Sequence, residues 1–199
     1  MKFYKFLSVI LHPIVIPTVG VFIYFFLIRN GFNSTQRLAV LGLVFITTYI
    51  IPLLILILFK KLKMIKSYYA ESIRERKIPI AMMIILFYLL GNTLYGATNI
   101  TDLGVLFYAT SLGLIIIYIF FAFNQKLSIH LLSLGISTGF FLLMSSKYSY
   151  SFTLVIIICF LLSGLLGSAR LHLKAHTRTE VYLGFLFGFI SPFIVNYIL

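Results

Sequence analysis

The chain has 199 residues, of which 61% are hydrophobic and only 10% charged, and its mean hydropathy is +1.10. A soluble domain carries roughly a quarter charged residues, so a soluble fold is excluded. The net charge of +12 lies between apolar runs, where anionic headgroups and positive-inside topology account for it without a nucleic-acid partner.

Seven apolar spans are expected, at 7–28, 38–59, 79–98, 103–123, 129–145, 151–167 and 180–199. Each is close to the roughly 20 residues a helix needs to cross the hydrocarbon of a bilayer. Lys2 and Lys5 ahead of the first apolar run give it the outline of a signal peptide. No small-x-small site follows, so it is read as a retained first span. Pro13 and Pro17 within it predict a kink or a late helix start. The link at 29–37 is short and polar, and those at 99–102 and 146–150 are tight hairpins. Cys159, the only cysteine, sits in an apolar run and can form no internal disulfide. The expected fold is all-α, a polytopic transmembrane helical bundle of six to seven spans forming one domain over 1–199.

The three remaining links are polar in a different way. Segment 60–79 reads KKLKMIKSYYAESIRERKIP, 124–130 reads NQKLSIH, and 168–180 reads SARLHLKAHTRTE. An even number of spans separates each pair, so all three share one side of the membrane. Three of the four acidic residues and three of the four histidines lie in or beside them. Ionisable residues gathered at a membrane edge point to function.

In the third segment Glu180 follows His176 at i+4, so a helix starting near His176 puts both on one face. The carboxylate can then accept the imidazole Nδ1–H, fix the tautomer and leave Nε2 free to attack. Arg170 offers a planar fork for phosphate oxygens. In the second segment Ser128 and the N–H groups of a helix start form an anion site, with His130 placed to protonate a leaving oxygen. Arg74, Arg76 and Lys77 of the first segment can neutralise charge on a transferring phosphoryl group.

The order Arg-x-x-Pro, Ser-x-His, Arg-x5-His-x3-Glu resembles the type 2 phosphatidic acid phosphatase superfamily of membrane lipid phosphatases. Its motifs are Lys-x6-Arg-Pro, Pro-Ser-Gly-His and Ser-Arg-x5-His-x3-Asp. The apolar step and glycine that follow its last motif are matched by Val181-Tyr182-Leu183-Gly184. The phosphatase-like core would cover roughly 60–199. The resemblance implies that His176 forms a phosphohistidine, Glu180 orients it and His130 is the general acid. It also implies that Arg170, Arg76 and Ser128 bind phosphate, with no metal or other cofactor. Departures are plain: Tyr69 replaces the family's lysine, Pro79 stands two residues late, Ser128-Ile129-His130 lacks the proline and glycine, Ala169 precedes Arg170, and glutamate replaces aspartate.

The expected function is hydrolysis of a lipid phosphate or diphosphate headgroup, with the tail entering from the bilayer of a bacterial inner membrane. Two rival readings are a non-catalytic lipid-phosphate binding or transport protein, and a metal-dependent hydrolase using His172, His176 and Glu180 on one helix face. The run at 60–66 reads as a topology determinant and headgroup contact, Ser128 and His130 have an alternative as a helix cap and an interfacial histidine, and His12 reads as structural. Of the 16 basic residues, 13 lie on the motif side and 3 on the other, which places the motifs in the cytoplasm. The resemblance implies the external face instead.

Overall fold

The computed structural model describes residues 1–28, 31–68, 72–148 and 151–199. Tyr69, Arg29 and the end of the 146–150 link lie outside the described residues. Among those described there are eight helices: α1 (Lys2–Ile10), α2 (Ile16–Leu27), α3 (Ser34–Lys61), α4 (Ile73–Tyr95), α5 (Thr101–Phe123), α6 (Ile129–Tyr148), α7 (Thr153–His172) and α8 (Arg178–Ile198). The six from α3 to α8 are each long and apolar enough to cross a membrane. The protein is an all-α helical bundle.

The expected first span is the one that changes most. Proline lacks an N–H and pushes the residue before it out of the helical region, so the chain breaks over 11–15 around Pro13. What remains of the span is α2, 12 residues or about 18 Å long at 1.5 Å per residue. The residues before the break form α1, which lies against the motif end of α7. Its Phe3, Phe6 and Val9 are exposed while Ser8 is buried, and the Tyr4 ring packs over His172 with centroids 4.2 Å apart.

One other start and one irregularity have local causes. Helix α4 begins six residues before the expected span, because Ser72 and Glu75 form a reciprocal capping box at its end. Pro79 therefore sits inside the helix. In α3, Ile46–Ile50 widens into a π-turn just before Pro52, whose missing N–H removes one rung of the ladder. Asn124 (φ 57°) and Lys174 (φ 52°) take left-handed backbone and turn the chain sharply after α5 and α7.

The tightest pairing in the bundle brings α6 and α8 together along two opposed small-x3-small stripes. Cβ atoms added at Gly135 and Gly139 would stand 2.3 and 2.2 Å from the Phe185 and Phe189 carbonyl oxygens; at Gly188 the distance to the Leu132 oxygen would be 2.2 Å. Only hydrogen allows backbones this close, the packing that holds helices together in lipid. The stripes run on to Gly184, which abuts the Ser128 backbone, so the pairing fixes the two motif-bearing helix starts side by side. At the opposite end, buried Asp102 of α5 accepts from Lys147 Nζ (2.6 Å), from Tyr148 and from Tyr24. That cluster ties α2, α5 and α6 at the face away from the motifs.

Candidate functional site

The site forms where the starts of α6 and α8 meet the end of α7. Helix α8 is capped by Thr177, whose side chain accepts from Glu180 N, while the Glu180 carboxylate accepts from the Thr177 N–H at 2.9 Å. His176 therefore stands just outside the helix, and its Nδ1 still reaches Glu180 Oε2 at 3.3 Å. The other carboxylate oxygen accepts from Lys126 N at 2.9 Å, and the Glu180 carbonyl accepts from Ser128 N at 3.0 Å. One glutamate thus caps α8, orients the imidazole and staples the loop before α6. A carboxylate can only accept, so Nδ1 carries the proton and the Nε2 lone pair is left free.

Burial and the cations Arg170 and Arg76 outweigh Glu180 and lower the His176 pKa from its ordinary value to about 4. The imidazole is neutral at physiological pH, the form in which nitrogen is nucleophilic.

Arg170 closes the other side. Its Nη1 donates to Ser8 Oγ at 2.8 Å, whereas Nε is buried and finds no acceptor among the described residues. A buried guanidinium N–H left without a partner is uncommon and marks a place for an anionic oxygen. His130 Nε2 lies 3.2 Å from the Ser8 carbonyl oxygen and 3.4 Å from its hydroxyl. Because a carbonyl cannot donate, the first contact puts the His130 proton on Nε2. The charge of Arg170 acts on both His130 and His176, and that of Arg76 on His176. Four of the expected residues, His176, Glu180, Arg170 and His130, thus converge, with Arg76 half-buried in electrostatic range.

Three others do not. Ser128 is completely enclosed, with its hydroxyl 3.5 Å from Leu131 N. That is the helix-cap place that stands as the alternative to phosphate binding. Arg74 and Lys77 are exposed on the first two turns of α4 and make no contact with the histidine cluster among the described residues. The arrangement needed by the metal-dependent reading is not assembled either. Helix α7 ends at His172, Lys174 breaks the backbone, and the His172 ring turns to Tyr4. Among the described residues no three His, Cys, Asp or Glu side chains come close enough to hold a metal ion.

The structure adds two residues the motifs did not contain. Ser8 bridges Arg170 and His130, and the His12 ring meets the His130 ring edge-on at 5.2 Å. In the sequence His12 has a structural reading and Ser8 carries no signal at all; only the fold-back of α1 brings Ser8 to Arg170, 162 positions away. Compared with family models, curated proteins and solved structures, the chain matches none.

Proposed function

We propose that the protein is a membrane lipid phosphatase that hydrolyses a phosphomonoester or diphosphate headgroup through a phosphohistidine on His176. The observation that carries this reading is the pairing of a neutral, Glu180-oriented His176 with a buried Arg170 whose Nε–H has no acceptor, beside a His130 protonated on Nε2. The motif order that resembles the type 2 phosphatidic acid phosphatases supports it independently.

In the proposed reaction, phosphate oxygens replace Ser8 at Arg170 and lie within the field of Arg76, which stabilises charge on the transferring group. His176 Nε2 attacks phosphorus, the bond from phosphorus to the alcohol or phosphate oxygen breaks, and that oxygen takes the Nε2 proton of a doubly protonated His130, which is left as the neutral ring. Water then attacks the phosphohistidine, His130 accepts its proton, and the phosphorus–nitrogen bond breaks to release phosphate. Glu180 acts through His176 as a positioning residue.

The test is phosphate release from a panel of lipid phosphates by purified protein, with and without chelator. His176→Ala is expected to reduce release to the blank while the protein still folds, and chelator is expected to have no effect. Release that survives His176→Ala removes the phosphohistidine. Saturable binding of a lipid phosphate with no release assigns the pocket instead to lipid-phosphate binding or transport.

A further inference from the structure

Helix α1 is built the wrong way round for a helix held by apolar packing. Of its nine residues only Ser8 is buried, while Phe3, Phe6, Val9 and Ile10 are each 50% exposed or more. Tyr4 and Ser8, four residues apart, share the inward face. That face meets the bundle through the Tyr4 ring on His172 and through Ser8, which stands against Arg170 Nη1 and His130 Nε2. A segment with so few buried apolar contacts opens at low free-energy cost.

The outward face fits a different neighbour. Its apolar residues, flanked by Lys2 and Lys5 with no acidic residue in the helix, are the make-up of a helix that lies along a membrane surface. Helix α1 can therefore move off α7 without carrying apolar surface into water. The helical ladder stops at Ile10 and resumes at Ile16, and Pro13 between them has no N–H to donate. Leu11 packs against the core cluster that holds Leu131, Leu166 and Val181, which anchors this pivot.

The contact that holds α1 down is incomplete. Ser8 offers Arg170 one hydroxyl, which takes Nη1 and leaves the buried Nε–H without an acceptor among the described residues. A phosphate carries several anionic oxygens, so it can satisfy Nε and replace the hydroxyl at Nη1. Each such charge-assisted bond is stronger than the one it replaces.

We infer that α1 is an autoinhibitory strap over the candidate site. Ser8 holds Arg170 and His130 when no substrate is present, and an incoming phosphate group displaces it by swinging α1 about residues 11–15. The inference rests on the phosphate site of the phosphatase reading and not on its chemical steps.

The experiment fixes the strap shut. Tyr4→Cys and His172→Cys, in a Cys159→Ala background, put two thiols where ring centroids 4.2 Å apart now stand. A short bis-methanethiosulfonate bridges them and dithiothreitol releases them, so each sample is its own control. Calorimetry with inorganic phosphate should show binding at least about tenfold weaker in the bridged protein, the scale of one hydrogen bond to a charged group. Reduction should restore it, and amide hydrogen exchange over residues 2–10 should quicken when phosphate saturates the reduced protein. Equal binding in the two states, no binding in either, or exchange that phosphate leaves unchanged overturns the strap.

Phosphate release from lipid esters separates the two readings. If the bridged protein hydrolyses as fast as the reduced one, the strap is overturned and the phosphatase reading stands. If bridging blocks phosphate binding but neither form hydrolyses any ester, the strap stands and the phosphatase reading falls.

Discussion

At His176, Glu180 favours the charged imidazole, while burial and the two arginines oppose it, and the opposition wins. The sign of the pH dependence follows. The ordinary histidine value is 6.5 and the folded value about 4, so between them the unfolded chain binds a proton that the native chain does not. Stability therefore rises with pH across that window and is lost as pH falls from 6.5 towards 4. Melting temperature in detergent, followed from pH 4 to 8, should drop on the acid side, and His176→Gln should flatten part of that slope. The acid limb of hydrolysis in the wild type should sit near the folded value. Arg170→Gln removes a repelling cation and should move that limb to higher pH, besides raising KM. An unmoved limb means that Arg170 does not act on His176. Glu180 also has a local role: at the third position of α8 it completes a capping box with Thr177.

The helix pair α6–α8 and the break between α1 and α2 are the elements on which the site depends. Gly188→Ala forces a methyl group against the Leu132 carbonyl, and overpacking of this kind costs about 1–3 kcal/mol. It should lower the melting temperature and, by parting the two helix starts, weaken hydrolysis as well. Gly164→Ala, in open surroundings on α7, should be neutral or slightly stabilising. Equal effects of the two would sink the idea that close backbone contact holds the site. Helix α1 contributes differently, because its Ser8 occupies Arg170 and His130 where phosphate would bind. A hydrogen bond to a charged group contributes about 1.5–3 kcal/mol, so Ser8→Ala should bind inorganic phosphate roughly tenfold tighter. Weaker binding would instead make Ser8 part of the phosphate cradle.

For the molecule as a whole, the excess of basic residues on the motif side, 13 to 3, predicts that the site faces the cytoplasm. Ser72 is exposed at the start of α4, and Cys159 is the only native cysteine. In a Cys159→Ala background, Ser72→Cys should react with a membrane-impermeant maleimide only after the cytoplasmic side is opened, if the 13-to-3 excess of basic residues decides orientation. Labelling of intact cells would favour the external face. At the other end, Asp102 is buried but matched by Lys147, Tyr148 and Tyr24, the condition under which a carboxylate is tolerated inside a bundle. It locks the face opposite the site.

The helical class, the apolar spans and the convergence of three polar links on one face were legible in the sequence because each depends on composition and spacing along the chain. The His176–Glu180 pair was legible for the same reason, since its partners are four residues apart. The role of Ser8 was not. It joins the site across 162 positions through a helix that proline bends back. That outcome depends on which surfaces meet, and only the packing of helices far apart in the chain decides it.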